Sequence, residues 1–309
     1  MLVKPRRVSV PSGSLLIVLA ISLVACSRSV KVFATPEDAG TALLQAAKSR
    51  NQTALLAIFG PDSKELIYSG DAVEDKNVVD AFSAGYEVMH RWRRMGDGAQ
   101  ILLVGADNFP FPILLKQNNR GQWFFDAAAG KEEILNRRIG RNELAVMDVC
   151  EVVADAQAEY FSQLHDGATT KQYAVKFISD PGKHNGLYWE SAEGQAQSPL
   201  GPLAAFATSD GYSVKAGAHT PFHGYYFRML KGQSSRAPSG ARVYLVDGKV
   251  TAGFAIVAYP AEYGNSGVMT FIINQDGLFL QKDLGKTTTE TATAMTEFDP
   301  DPTWGPVEE

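Results

Sequence analysis

The residues of this chain whose types and spacing could do chemistry gather between positions 184 and 283. Three of its five histidines, His184, His219 and His223, fall in one loop-rich stretch. His219 and His223 are four apart, a spacing that puts two imidazoles on one helix face as zinc ligands. Pro221 lies between them and no nearby acid completes a ligand set, so no metal is expected. The densest polar and aromatic cluster runs from Phe222 to Arg228. Strand alternation puts His223, Tyr225 and Phe227 on one side and Gly224, Tyr226 and Arg228 on the other. Tyr226 and Arg228 could then bind an anionic or sugar-like ligand, the guanidinium as a planar fork and the ring as a stacking surface. Glu262 and Tyr263, in the loop Pro260 to Gly264, could meet this surface, as could Lys282 and Asp283. The competing reading is structural: Arg228 stacks on Tyr226 and pairs with an acid such as Asp283.

Several site signatures fail on spacing. Gly285-Lys286-Thr287 resembles the end of a phosphate-binding loop, but Leu280 stands where the first glycine would bend around the phosphates. Gly264-Asn265-Ser266-Gly267 lacks the glycine two residues after serine that a nucleophile elbow needs. Asp299 to Gly305 has oxygen side chains at alternate positions, as in a calcium loop, but its glycine comes one residue late and two prolines stiffen it. The sequence has no paired-cysteine motif, no His-Glu-x-x-His and no Ser-x-x-Lys. No cofactor is implied, and the catalytic residues of the common hydrolases have no counterpart.

The N-terminus carries an address. Lys4, Arg6 and Arg7 precede an uncharged apolar run, Leu15 to Val24, too short to span a bilayer but suited to a signal peptide. Leu23-Val24-Ala25-Cys26 resembles the bacterial lipoprotein box, in which the cysteine thiol takes a diacylglycerol before cleavage on its N-terminal side. This predicts a signal peptide over residues 1–25, lipidation at Cys26, a tether over 26–33 and a membrane partner reached through acyl chains. Ser27, in place of aspartate, points to the outer membrane, with the protein facing the periplasm. Removing residues 1–25 takes away three positive charges and moves the net charge from −5 to −8. No basic field remains to condense on phosphates, so nucleic acid is not an expected partner. Cys150 is then the one thiol left, placed by its helical pattern in a core.

The elements that must position these residues follow from periodicity. Thr35-Pro36-Glu37-Asp38 reads as a helix cap followed by proline at the first helical position. Helical patterns follow near 39–47, 53–59 and 82–90. From Gln100 the period changes, and strands are predicted over 101–104, 111–117 and 122–127, the last two turned at Asn118 to Gly121. A long helix is predicted from Asn142 to His165, then a loop-rich region including Ser198 to Pro202. Strands are predicted over 225–230, 242–246, 251–259, 268–274 and 278–281, with turns at Asp247-Gly248 and Asn274 to Gly277. The pattern predicts an α+β fold in two modules, residues 34–140 and 141–305, with a short tail over 306–309. Trp92, Phe109, Phe111, Trp123 and Phe124 are assigned to the first module's core.

At the level of fold, helices followed by a meander ending WFFDAAAGKEEI at Trp123 to Ile134 resemble the cone of nuclear-transport-factor-two-like domains, which often holds a small-molecule pocket. A long helix on an antiparallel meander resembles the head of type II pseudopilins. Seven blocks resemble, in order, the bacterial family called domain of unknown function 2950: Asn185 to Trp189, Ser198 to Leu203, Phe222 to Leu230, Gly253 to Gly264, Gly267 to Asn274, Gln281 to Gly285 and Phe298 to Asp301. The resemblance implies a secreted or lipid-anchored envelope protein and brings no catalytic residues. Two functions are weighed. One is a non-catalytic envelope lipoprotein that binds or assembles with an envelope protein or a small molecule. The other is a periplasm-facing, hydrolase-like enzyme using His223, Tyr226, Arg228 and Glu262. Under either reading the site is expected in the second module.

Overall fold

Thr35 opens the first helix as the cap predicts: its Oγ1 accepts the Asp38 amide at 3.1 Å, and Pro36, which has no amide hydrogen to satisfy, begins the helix. The computed structural model describes residues 30–192, 194–215 and 219–307; the segment expected as a signal peptide and Cys26 lie outside the described residues. The chain is mixed α+β. Four helices come first: α1 (Pro36–Lys48), α2 (Gln52–Phe59), α3 (Lys64–Ile67) and α4 (Ala72–Val88). Strands β1 (His90–Arg94), β2 (Gln100–Val104), β3 (Phe109–Pro110), β4 (Leu115–Gln117) and β5 (Trp123–Phe125) form an antiparallel sheet in the order β1-β2-β4-β5, with β3 also on β2. Leu43, Ile58, Phe59, Ile113, Leu115 and Phe125 fill the core between helices and sheet.

Two sequence-based expectations change here. The helical pattern through Met89 and His90 stops at Val88, and His90–Arg94 is an edge strand. Of its residues only Trp92 packs inward on the core, so its row of charges gives no strand alternation to read. The strand expected over 111–117 is confined to Leu115–Gln117, since Pro112 has no amide to give a ladder.

The long helix α5 (Ala127–Ser162) has 36 residues, about 54 Å, and starts fifteen residues before the predicted Asn142. Residue 140, where the module boundary is expected, therefore lies in mid-helix. Ala127 and Ile134 pack on the first core, while Val146, Val149, Cys150, Val153 and Tyr160 pack on the second. The stripe shifts around the helix between these two sets, so no single amphipathic pattern spans it.

After α5, the described residues of 163–200 form loops tied to the core. The amide of buried Gln157 exchanges two hydrogen bonds with the Ala174 backbone, at 2.9 and 3.1 Å. The segment after Ser198, expected as loop, instead forms α6 (Gly201–Ser209), with Pro202 in its first turn where the missing amide costs nothing. The remaining strands are β6 (Tyr225–Met229), β7 (Gly232–Gln233), β8 (Arg242–Val243), β9 (Leu245–Val246), β10 (Lys249–Val250), β11 (Ala255–Pro260), β12 (Met269–Asn274) and β13 (Phe279–Asp283). They are followed by α7 (Thr288–Ala294), β14 (Glu297–Phe298) and β15 (Gly305–Pro306). The main sheet runs β15-β13-β12-β11-β6, all antiparallel. Strands of residues 90–125 pair among themselves, as do those of 225–306. The β9–β10 turn falls at Asp247-Gly248, both with positive φ, the conformation a two-residue hairpin needs. One face of the main sheet sets Tyr225, Ile256, Ala258 and Phe271 against α5. The other sets Val257, Ile272 and Leu280 with Ala292 of α7 and Phe298.

Candidate binding site

Buried polar groups join the helical region at 65–75 to the loop Ala261–Val268 and to α5. Asp71, 1 % exposed, caps α4: its Oδ1 accepts the amides of Val73 and Glu74 at 3.0 and 3.1 Å. Its Oδ2 accepts the Tyr212 hydroxyl at 2.9 Å and the Gly224 amide at 3.0 Å. Gly224 has φ +73, and a Cβ there would meet the Asn142 amide nitrogen at 2.5 Å, so the position takes only glycine. Asn142 in turn donates to the Ser266 carbonyl at 2.9 Å, and Glu143 accepts the amides of Val268 and Met269 at 2.8 and 2.9 Å. Arg138, buried on α5, donates to the Glu65 carbonyl at 2.8 Å, the Leu66 carbonyl at 3.1 Å and Asn265 Oδ1. Burial lowers the guanidinium's pKa, and Asp75 pulls it back up. Each buried donor or acceptor here has a partner, which is what makes a buried polar joint tolerable.

The structure spreads the seven residues singled out from the sequence rather than gathering them in one cavity. His223 adopts a left-handed conformation, φ +49, its amide donates to the Tyr212 hydroxyl at 3.3 Å, and its ring packs against Phe222. Tyr226 stacks on His219 with centroids 4.4 Å apart and planes 4° off parallel. Arg228 lies on the Tyr226 side of β6, as alternation predicts. Its Nη2 donates to the Ala292 carbonyl at 2.7 Å and to the Met295 carbonyl, so it caps the end of α7. The pairing with Asp283 weighed from the sequence is not made. Asp283 instead accepts the Tyr263 hydroxyl at 3.2 Å and the Gly285 amide at 2.7 Å. Lys282 donates to Asp301 at 3.2 Å and lies 5.8 Å from the Trp304 ring centroid. Glu262 belongs to the joint, its Oε2 accepting from Asn265 at 2.7 Å. Of the seven, Tyr226 lines a cavity of about 200 Å³ between α5, α6 and β6 that also includes Val149, Leu203, Phe222 and His219. Among the described residues no group of three His, Cys, Asp or Glu side chains is placed to hold a metal ion.

The wider cavity, about 520 Å³, lies in the first half of the chain, between α1, α2, α4, the sheet β1–β5 and the first turns of α5. Its volume falls within the range of small-molecule sites. Leu43, Leu55, Phe59, Phe82, Val104 and Ile113 give it apolar walls. Its charged lining residues are Glu74 and Asp75 on the first turn of α4 and Arg137, Arg138 and Arg141 on α5. Arg141 pairs with Glu74 at 2.7 Å. Arg137 bonds Glu133 at 2.6 Å and the Pro110 carbonyl at 3.2 Å, and its guanidinium sits 5.3 Å from the centroid of the Phe109 ring. Burial pushes the Asp75 carboxyl up, against hydrogen bonds from Ser69 that pull it down. Phe109, assigned to the core from the sequence, is 60 % exposed and lines the cavity instead.

The resemblance to a cone that often holds a pocket points to this region, but the sequence reading expects the site in the second module because it assigns Trp92, Phe109, Phe111, Trp123 and Phe124 to the core. The available signal is in α4. Val78, Val79 and Phe82 recur at helical spacing, yet Ser83 and Tyr86 are the buried residues of the helix. Val78 is exposed and Val79 and Phe82 are half-buried, and all three line the cavity.

A family model described as protein of unknown function (DUF2950) matches residues 30–307. Among curated proteins and solved structures nothing matches the chain.

Proposed function

Because the chain belongs to the family described as protein of unknown function (DUF2950), a description that carries no activity, we propose a function from the cavity: a non-catalytic, lipid-anchored envelope protein that binds a small apolar molecule in its first half. The observation that carries this reading is the cavity of about 520 Å³, apolar along its length and charged at one end. Desolvating an apolar ligand there gains about 25 cal/mol per Å² of surface removed from water. The address supports the location: a cationic segment, an apolar run and Leu23 to Cys26 stand in the order of a lipoprotein signal. It would place the chain at the outer membrane facing the periplasm, held by acyl chains on Cys26. The enzyme reading loses support because its residues are not gathered in one cavity, with Arg228 Nη2 on the Ala292 and Met295 carbonyls and Glu262 Oε2 on Asn265.

The test uses the processed chain from residue 26 with Cys26→Ser, so that no acyl chain competes. All four apolar clusters draw their members from between Phe33 and Val307, so this chain contains them whole. The neutral fluorophore N-phenyl-1-naphthylamine should bind saturably, and Val79→Trp and Ile134→Trp, which fill the cavity from α4 and α5, should each weaken it at least tenfold while unfolding stays cooperative. No saturable binding, or undiminished binding in both filled variants, overturns the reading.

A further inference from the structure

Resting on the cavity as a binding site, we propose that its ligand is a single-chain anionic amphiphile, with its alkyl chain along the apolar walls and its anionic head at Arg137 and Arg141. The cavity is polar at one end and apolar at the other. Glu74 and Gly85, both lining it, are eleven residues apart on α4, which separates them by about 16 Å along the helix axis. Toward Gly85 the walls are Leu43, Ala47, Phe82 and Val104, where a charged or strongly hydrated group would be left without partners. A compact polar ligand leaves this end empty, and a wholly apolar ligand leaves the arginine end unused.

The two arginines are one helical turn apart on α5, at i and i+4, and so share a face. Both keep donors to spare. Arg137 uses Nε and Nη1 on Glu133 and Pro110, and Arg141 uses Nη2 on Glu74, leaving Arg137 Nη2 and Arg141 Nε and Nη1 without a partner among the described residues. Their side chains are 36 % and 52 % exposed, so the head would sit at the rim, where an anion keeps part of its hydration. Arg138 is different: its donors go to Glu65, Leu66 and Asn265, and its role is to hold the wall. The acids at this end do little to oppose an incoming anion. Glu74 is already paired with Arg141, and both carboxylate oxygens of Asp75 accept the Ser69 amide, at 3.0 and 3.2 Å. Charge-assisted, forked contacts from arginine suit a carboxylate and a phosphate alike, so the chemistry shared by the two is the claim.

The experiment displaces N-phenyl-1-naphthylamine from the same processed chain with four C12 probes, each below its micelle-forming concentration: dodecanoate, dodecyl phosphate, dodecan-1-ol and dodecyltrimethylammonium. The two anions should displace at least tenfold more tightly than the alcohol, and the cation most weakly. In Arg137→Gln/Arg141→Gln the ratio of dodecanoate to dodecanol affinity should fall at least tenfold. The single variants guard against a folding failure of the double one, and each should lower the ratio part of the way. Comparing dodecanoate with dodecyl phosphate separates a fatty-acid source from a phospholipid-derived one. Equal affinity for dodecanoate and dodecanol in the wild type, or an anion preference that survives in all the glutamine variants, overturns the proposal while leaving the cavity reading intact. Failure of the neutral fluorophore to bind removes the cavity reading itself.

Discussion

Replacing Asp71 with alanine should cost about 3–7 kcal/mol of stability, and the structure says where each part arises. Oδ1 caps α4 through the amides of Val73 and Glu74, and loss of such a cap costs about 1 kcal/mol. Oδ2 satisfies the Tyr212 hydroxyl and the Gly224 amide, and each buried donor left without a partner costs about 1–3 kcal/mol. The carboxylate is 1 % exposed, so water does not replace it without rearrangement. Asp71→Asn keeps the cap but sets an NH₂ against two converging donors, so it should recover only the cap. Tyr212→Phe should cost about 1–2 kcal/mol. In a double-mutant cycle with Asp71→Ala, the coupling energy should exceed about 0.5 kcal/mol, because the two groups share one hydrogen bond. Urea unfolding, followed together by tryptophan fluorescence and circular dichroism so that coincident curves justify a single free energy, measures all four values. An Asp71→Ala cost below about 1 kcal/mol, or strict additivity with Tyr212→Phe, would refute the joint as described.

Arg228→Ala should remove about 1.5–3 kcal/mol by leaving the Ala292 and Met295 carbonyls without their charged donor. Amide exchange over residues 288–296 should speed up more than elsewhere, and uniform exchange across the chain would contradict the capping role. Asp301 gives a pH signature: hydrogen bonds from the Thr303 hydroxyl and amide, then from Lys282, hold its carboxyl down from 3.8 to about 2. A depressed folded pKa adds stability above the unfolded value and loses it as pH falls through the folded one. The deficit of Asp301→Asn against wild type should therefore be full at pH 6, shrink below pH 4 and vanish only below pH 2; thermal midpoints showing a pH-independent deficit would contradict it.

What could be read in the sequence was local. The Thr35 cap, the Asp247-Gly248 turn and the alternation of Tyr225 to Arg228 each depend on a few neighbours, and each is found as expected. What stayed hidden depends on partners far along the chain. The edge strand His90–Arg94 has no alternation to display, and α5 changes its buried stripe where it passes from one core to the other. Arg228 illustrates the limit for function. Its type and its place on a strand suit a ligand fork, but Ala292 and Met295, more than sixty residues later, take its Nη2, while its buried Nε has no partner among the described residues. The loop Ala261–Val268 has the glycine, serine and carboxylate of a functional loop, and these serve the joint.

The joint and the cavity are mechanically one unit. Asp71 fixes the first turn of α4, and within that turn Glu74 and Asp75 form the charged end of the cavity. Arg138 fixes α5 against the Glu65 and Leu66 carbonyls, and its neighbours Arg137 and Arg141 stand across from that turn. Both walls of the charged end are therefore held by bonds that also reach the second half of the chain: Tyr212 and Gly224 on one side, Asn265 on the other. The apolar end, lined by α1, α2 and the far turns of α4, has no such tie among the described residues. A rigid polar end beside a plain apolar wall is the arrangement expected where the position of a head group must be defined and the length of its chain need not be. Tyr212→Phe lies outside the cavity lining, yet it loosens one of these ties. It should accordingly erode the preference for dodecanoate over dodecanol before it affects binding of the neutral fluorophore; an unchanged preference in a variant that has lost stability would show that the cavity's charged end is held independently of the joint.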